Sequence, residues 1–248
     1  MRILVLADIH ANLAALDAVL AAEKEWDEMI FLGDVVVGGP EPEACVTRLR
    51  ECQPYAIQGN HDRQTLDPSY EISDPNPDRS WVAWTRSQLS PANRDWLASM
   101  APSHAIDRDG LRIRLHHGDF PAPLGRFWPD WPDEKWQTLA EMFPEPWIMA
   151  AHSHVQFRQD RVGRVLINPG SVGQPRLGQP LAQYMVLEDG EPRFLAVPYD
   201  IEQTCRAMEQ MPIPEDFRTM WQEIFRNGML SSRYPMRDWK SLQDAGYR

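Results

Sequence analysis

The sequence predicts an α/β protein built from two packed β-sheets. Its first quarter alternates short apolar runs with amphipathic segments, the pattern of parallel strands joined by helical crossovers. Its second half contains pairs of apolar runs separated by turns such as Asp189-Gly190, the pattern of antiparallel hairpins. A chain of 248 residues is long enough to bury such a core without disulfide bonds. Together these observations predict an α/β sandwich of two sheets.

Each strand predicted in the first quarter ends at a polar turn. The run 2–7 ends at Asp8-Ile9-His10, the run 28–32 ends at Gly33-Asp34, and the run 54–58 precedes Gly59-Asn60-His61-Asp62. Helices are expected between these strands at 12–22, with Asn12 as the cap, and at 41–51. Gly59 is expected to let the chain turn sharply. Because functional loops collect at the carboxyl ends of parallel strands, we expect the three turns to meet.

The middle of the chain is less regular. It predicts a polar loop at 67–78, helices at 80–89 and 91–100, and a strand at 147–150. It also predicts hairpins at 103–106 with 111–115 about Asp109-Gly110, at 155–159 with 165–168, and at 183–187 with 193–197. An aromatic insertion at 120–146 suits a lid, a dimer surface or core.

Helical spacing returns after residue 201 and is clearest at 217–225. We therefore expect one domain over residues 1–200. A helical extension over 201–248 is expected to pack on that domain. The sequence carries no signal for an oligomeric state.

Six of the seven histidines fall in four clusters at predicted strand ends. These are His10, His61, His116 with His117, and His152 with His154. A single histidine in a strand is usually structural, but four clusters, each beside a carboxylate, amide or glycine, indicate metal ligands. Imidazole and oxygen ligands without thiolate suit Mn, Fe, Ni or Zn. The set is large enough for two ions, and a carboxylate such as Asp34 can bridge such a pair.

Five motifs resemble, in order and spacing, those of the calcineurin-like metallophosphoesterase superfamily. They are Asp8-Ile9-His10, Gly33-Asp34, Gly59-Asn60-His61-Asp62, His117-Gly118 and His152-Ser153-His154. The run Asn168-Pro169-Gly170-Ser171-Val172-Gly173-Gln174-Pro175-Arg176 is similar to the superfamily's branch of small bacterial and archaeal phosphodiesterases. The resemblance covers residues 1–200 and implies a four-layer α/β/β/α sandwich with two mixed sheets flanked by helices.

The resemblance also implies a role for each motif residue. Asp8, His10 and His154 would hold one divalent ion, Asn60, His117 and His152 a second, and Asp34 would bridge them. A water between the ions, manganese being the expected metal, would attack phosphorus as hydroxide. His61 would stabilise the phosphate oxygens or protonate the leaving oxygen, and Asp62 would orient its ring. Substrate contacts are expected from Asn12, Arg63 and Arg176.

Some residues near these motifs admit two interpretations. Neighbours on a strand face opposite ways, so only one of His116 and His117 can be a ligand, and the following glycine favours His117. Asp119 adds a carboxylate that could narrow the pocket or contact a metal. The run 168–176 suits turns between strands as well as it suits phosphate binding.

The leading functional hypothesis is a phosphoesterase that uses two metal ions to hydrolyse a small phosphodiester or nucleotide. The alternatives are a non-catalytic binding protein of the same fold, a phosphomonoesterase or protein phosphatase, and a DNA nuclease. The complete ligand set argues against the first alternative. A formal net charge of −11 argues against binding to duplex nucleic acid or an anionic membrane.

The sequence also predicts a compartment. The three cysteines, Cys45, Cys52 and Cys205, form no spaced framework, which favours a reducing environment. No apolar stretch has the length of a signal peptide core or a membrane span. We therefore expect a cytoplasmic protein.

Overall fold

The computed structural model describes residues 1–108, 110–231, 239–245 and 247. The strands are β1 (Arg2–Leu6), β2 (Glu28–Phe31), β3 (Tyr55–Ala56), β4 (Ser103–Arg108), β5 (Leu111–His116), β6 (Trp147–Met149), β7 (Gln156–Arg161), β8 (Arg164–Pro169), β9 (Ala182–Glu188) and β10 (Glu191–Val197). The helices are α1 (Leu13–Ala22), α2 (Pro42–Glu51), α3 (Asn60–Leu66), α4 (Pro77–Gln88), α5 (Pro91–Ser99), α6 (Asp133–Met142), α7 (Ile201–Met208), α8 (Glu215–Asn227) and α9 (Trp239–Asp244).

Within the described residues, the strands form two mixed sheets of five strands each. The first has the order β10-β9-β1-β2-β3, in which β1, β2 and β3 are parallel and β9 runs antiparallel to β1. The second has the order β4-β5-β6-β8-β7, in which β5, β6 and β8 are parallel. The prediction of two mixed sheets flanked by helices is therefore confirmed.

Polar caps and prolines set the starts of several helices. The side chain of Asn12 accepts a hydrogen bond from the backbone N–H of Ala15, which caps α1 as predicted. Asn76 and Ser90 cap α4 and α5 in the same way, and each is followed by proline at the first helical position. These caps place the start of α4 three residues before the predicted 80–89.

The three predicted hairpins form, although Asp109 of the first turn lies outside the described residues. The strand predicted at 54–58 is only the two-residue β3. The polar run after Gly59 enters α3, which the sequence does not predict because its seven residues carry no apolar stripe.

The two sheets pack face to face on a shared apolar layer. Alternate residues of β1 point to opposite faces, so Ile3 and Val5 meet Ile113 and Met149 of the second sheet. Leu4 and Leu6 point the other way, into the cluster formed with α1, α2 and α5. This alternation produces the layering that the resemblance implies.

The aromatic insertion covers the outer face of the second sheet. Phe127, Trp131 and Trp136 are buried there against Ile148 and Leu166. Of the three alternatives considered for residues 120–146, these rings are core.

The helices after residue 200 contact the rest of the chain at α1 and α4. Thr204 donates a hydrogen bond of 2.9 Å to the side-chain oxygen of Asn12, and the Trp221 ring lies edge-on to Trp81 at 5.1 Å. Residues 232–238, 246 and 248 of the predicted extension lie outside the described residues, and the boundary at residue 200 stays a prediction. No helix in the described part of the chain is both long and apolar enough to cross a membrane.

Candidate metal centre

The predicted ligands converge on one buried centre. Three groups of side chains bring their ligand atoms within 4.8 Å of one another. They are Asp8 with His10 and His154, His10 with Asp34 and His61, and Asp34 with His117 and His152. Asn60 joins them because its side-chain oxygen lies 3.2 Å from His117 Nε2. Turns that are far apart in the sequence thus meet, as the strand-end argument predicts.

Backbone carbonyls fix the orientation of three of these imidazoles. Nδ1 of His10 lies 2.8 Å from the Val37 oxygen, and Nδ1 of His117 lies 2.7 Å from the Leu32 oxygen. Nδ1 of His154 lies 2.6 Å from the Gln174 oxygen. Because a carbonyl only accepts hydrogen bonds, Nδ1 must carry the proton. In the neutral imidazole this leaves a lone pair on Nε2 directed at the centre, as metal-ligating histidines require.

Electron-rich atoms face one another across the centre. His10 Nε2 lies 3.2 Å from His154 Nε2, and His154 Nε2 lies 3.4 Å from Asp8 Oδ1. Asp8 Oδ1 is buried and accepts no hydrogen bond from any described residue, and the buried Asp34 Oδ2 lies 3.1 Å from His117 Nε2. Two lone pairs at such a distance repel unless a proton or a cation lies between them. The donor set therefore fits divalent cations.

The electrostatics of the centre favour positive charge. Burial lowers the pKa of His10 to about 3 and holds the pKa of His154 well below its usual value, so both rings are neutral. Burial also lowers the pKa of His117, but the adjacent Asp34 carboxylate outweighs it and raises that pKa to about 10. The negative charge that retains a proton on His117 would equally favour a divalent cation.

Backbone strain is concentrated at the ligands. Five of the seven predicted ligands adopt left-handed backbone conformations, with φ between +50° and +66°: Asp8, His10, Asp34, His152 and His154. Each such non-glycine conformation costs about 1–3 kcal/mol and persists only where surrounding contacts enforce it. One such contact is the 3.1 Å hydrogen bond from the His152 backbone N–H to Asp8 Oδ2.

The run 168–176 supports the ligand turns and also reaches the pocket. Ser171 donates a 2.8 Å hydrogen bond to the backbone oxygen of Asp8, and the carbonyl of Gln174 fixes His154. Arg176, at the end of the run, places Nη2 3.3 Å from His154 Nε2 and lines the pocket beside the centre. The run therefore supports the ligand turns, and phosphate binding by Arg176 stays a prediction.

The structure separates the two adjacent histidines as expected. The His117 ring lies within the centre, whereas His116 stacks on Phe120 at 4.3 Å and accepts a 2.9 Å hydrogen bond from the Gly118 N–H. Asp119 forms an ion pair with Arg63 and belongs to none of the three ligand groups. Asp119 therefore does not contact the centre.

Asp62 does not orient His61, which corrects the role expected for it. Its buried carboxylate accepts hydrogen bonds from the backbone N–H groups of Asp34, Val35 and Gly59 at 2.8, 3.0 and 2.9 Å. It thus holds the turn that carries Asp34 against the first turn of α3. Asp62 is therefore a positioning residue for Asp34, a candidate ligand.

We expect Asp62→Asn to destabilise the protein by roughly 1–3 kcal/mol, because the amide nitrogen cannot accept the hydrogen bond from Val35. Urea unfolding would measure the change in the free energy of unfolding. The control is Asp67→Asn, which alters an exposed carboxylate at the other end of α3. Equal stability of the two variants would contradict this role for Asp62.

Two of the residues predicted to contact substrate bond other protein groups in this structure. The side chain of Asn12 is fully buried, because its oxygen bonds Ala15 and Thr204 and its nitrogen donates to Gly173. Arg63 pairs with Asp119 and donates to the Gln58 carbonyl, and it does not line the pocket that contains His61.

A pocket residue that the sequence does not predict is Arg126. It lies in the aromatic insertion, lines the pocket beside His10 and His61, and its guanidinium is close enough to Asp8 and Asp34 to interact with both. The insertion carries no recognisable motif. The position of Arg126 depends instead on two backbone contacts within its own loop, a bridge between Asp119 and Arg126 and the bond from the Phe127 N–H to the Gly118 oxygen.

Comparison with known proteins agrees with the fold and the motifs. The profile of the calcineurin-like phosphoesterase superfamily domain matches residues 1–190, and the chain belongs to this superfamily. An uncharacterized protein of Methanocaldococcus jannaschii is 28% identical over 239 residues, which cover 86% of this chain and 94% of that protein.

Solved structures show the same architecture. A metallophosphoesterase from Sphaerobacter thermophilus aligns with a TM-score of 0.76 at 29% identity, over 92% of this chain and 99% of that one. A hypothetical protein from Pyrococcus horikoshii aligns with a TM-score of 0.79 at 18% identity, over 93% of this chain and 99% of that one. The second likeness concerns the fold alone.

Proposed function

We propose that this protein is a phosphoesterase that uses two divalent metal ions, manganese being the expected metal, to hydrolyse a small phosphodiester or nucleotide. The observation that carries the proposal is the set of electron-rich atoms facing one another, above all His10 Nε2 and His154 Nε2 at 3.2 Å. Membership of the superfamily supports the hydrolytic part of the proposal.

The grouping of the side chains supports two ion positions that share Asp34. Asp8, His10 and His154 would hold one ion, and Asn60, His117 and His152 the other, because one histidine of each trio lies near Asp34 Oδ2: His10 Nε2 at 3.9 Å and His117 Nε2 at 3.1 Å. Bound there, the ions would supply an activated water and neutralise charge on the phosphate.

His61 and Arg176 are the pocket residues placed to act on the phosphate. The His61 backbone N–H donates a 2.8 Å hydrogen bond to Asp34 Oδ1, which fixes His61 beside the ligands, and its ring lies edge-on to His10 at 5.3 Å. From this position the imidazole can donate to an equatorial phosphate oxygen or to the leaving oxygen. The Arg176 guanidinium can stabilise negative charge on the same group.

The direct test is metal-dependent hydrolysis of bis-p-nitrophenyl phosphate and p-nitrophenyl phosphate by protein stripped with chelator. We expect activity only after Mn²⁺ is added back, together with binding of two ions per chain. Two bound ions without hydrolysis of either ester would favour the non-catalytic binding protein. Failure to bind any divalent ion would overturn the proposal.

We expect His61→Ala to lower kcat by about a hundredfold while the chain still binds two ions, because His61 acts on the phosphate rather than as a ligand. Metal analysis alongside steady-state kinetics would measure both quantities. The matched control is His104→Ala, which removes an exposed histidine from β4. Loss of an ion from the His61→Ala variant would instead make His61 a ligand.

A further inference from the structure

A half-enclosed pocket of about 330 Å³ lies beside the metal centre. His10 and His61 line one end of it. This volume is at the low end for small-molecule sites, which are usually about 300–1,000 Å³. The pocket therefore suits a substrate of about the size of a single nucleotide and excludes a folded polymer.

The wall away from the metal centre is apolar and largely aromatic. Tyr70, Trp81, Val82, Trp221 and Leu230 line it. Trp81 is fully buried and holds the wall in place through edge-on contacts with Trp221 at 5.1 Å and Phe217 at 5.6 Å. Trp221 and Leu230 lie beyond residue 190, where the superfamily match ends. This wall is thus built partly by the C-terminal helices, and the superfamily's motifs do not account for it.

Cationic side chains also line this pocket. Arg126 and Arg176 both line the pocket, and each is close enough to interact electrostatically with Asp8. Guanidinium groups hydrogen-bond phosphate oxygens in a planar, often bidentate geometry. A phosphate bound next to the metal centre would therefore have cations on two sides.

Polar groups share the pocket with the apolar wall. Gln64 and Asp78 line the pocket, and the Arg79 guanidinium lies over the Tyr70 ring at 4.5 Å while pairing with Asp74. Hydrogen-bonding groups in a pocket with an aromatic wall suit a flat ring with polar atoms on its edge. A nucleobase has this distribution of polarity, whereas an alkyl chain does not.

Resting on the proposed phosphoesterase function, we infer that the substrate is a phosphoester with a flat aromatic group of nucleobase size. Its ring lies against the wall formed by Tyr70, Trp81 and Trp221, and its phosphate oxygens contact Arg126 and Arg176. Trp221 is thus a specificity-determining residue and Arg126 a phosphate-binding residue, and both lie outside the superfamily motifs.

The test measures binding, so that it does not depend on turnover. Methylphosphonate, n-butylphosphonate and phenylphosphonate carry the same anionic group and cannot be hydrolysed as esters, and each is titrated calorimetrically into the Mn²⁺-loaded protein. We expect phenylphosphonate to bind at least about tenfold more tightly than methylphosphonate, with n-butylphosphonate between them. Equal affinities for phenylphosphonate and methylphosphonate would overturn the inference. Equal affinities for phenylphosphonate and n-butylphosphonate would overturn the claim that the wall prefers an aromatic group.

Two kinds of variant assign the roles. In Trp221→Ala, the ratio of the affinities for phenylphosphonate and methylphosphonate is expected to fall close to one. Leu230→Ala should also lower this affinity ratio, and it does so without removing a ring from the packed cluster. Arg126→Gln is expected to weaken all three ligands about tenfold and leave the ratio unchanged. If the affinity ratio were unchanged in both Trp221→Ala and Leu230→Ala, the inference that the aromatic group lies against this wall would be overturned.

The outcomes for the two proposals can be told apart. Metal-dependent hydrolysis without a preference for phenyl would overturn only the substrate class. A phenyl preference without hydrolysis of any ester would overturn the catalytic proposal and leave a binding site for aromatic phosphates.

Discussion

Replacing Asp34 by asparagine is expected to lower metal-dependent kcat/KM by at least about 10³-fold, the scale of losing a main electrostatic element of an active site. Metal analysis should show fewer than two ions per chain. Both effects have one cause, since Asp34 belongs to two of the three ligand groups and is the carboxylate between them.

The geometry of Asp34 explains why an amide cannot replace it. Its Oδ1 accepts the 2.8 Å hydrogen bond from the His61 N–H, and its Oδ2 lies 3.1 Å from His117 Nε2 and 3.9 Å from His10 Nε2. An asparagine that keeps the bond to His61 would direct its NH₂ group at these two nitrogens. An NH₂ group carries no negative charge and has no lone pair to offer an ion.

The control for this variant is Asp119→Asn. Asp119 follows His117 by two residues, but its carboxylate pairs with Arg63 outside the ligand groups. We expect its activity to stay within tenfold of wild type, because this half-buried ion pair lies outside the ligand groups. If both variants lost activity equally, general damage to this region would explain the result better than loss of a bridging ligand.

The meeting of the candidate ligands was predictable because their positions follow from a simple rule. Asp8, Asp34 and His117 each stand where an apolar strand ends, and the parallel arrangement brings such ends together. Side-chain chemistry then restricted the function, because carboxylates and imidazoles without thiolates suit few ions. The layered fold was predictable for a related reason, since alternation and apolar runs indicate which faces are covered.

Features that depend on contacts distant in sequence were not predictable. Asp62 looks like a partner for the adjacent His61, but its carboxylate bonds backbone groups as far as 28 residues away. Arg126 reaches the pocket only because its loop is tied to Asp119 and Gly118. The left-handed backbone conformation at the predicted ligands could not be predicted either, because none of these residues is glycine. In each case the tertiary structure overrides the local preference of the sequence.

Gly59 is required in the structure for a different reason from the one that the sequence suggests. The sequence suggests that glycine is needed for a sharp turn, but its φ of −86° is accessible to any residue. What requires glycine is space. A Cβ at this position would lie 2.1 Å from Asp34 Oδ1 and 2.5 Å from the Asp34 backbone nitrogen.

Replacing Gly59 by alanine is therefore expected to damage both stability and the metal centre. The added methyl cannot fit without moving Asp34, and such overpacking costs about 3 kcal/mol in the free energy of unfolding. Because the displaced group is a predicted ligand, we also expect at least about a hundredfold loss of metal-dependent activity. Thermal unfolding with and without Mn²⁺ measures both effects, since the variant should lose most of the stabilisation that the ion gives wild type.

The matched control is Gly163→Ala in the hairpin between β7 and β8. Gly163 has a left-handed φ of +70°, and a Cβ there would meet no atom within 4 Å. The control thus carries only the backbone penalty of about 1–2 kcal/mol and should respond to Mn²⁺ as wild type does. A Gly59→Ala variant that retained the full stabilisation by Mn²⁺ would show that Asp34 can move without loss of the ion, and the fit of the two ions to this centre would then be wrong.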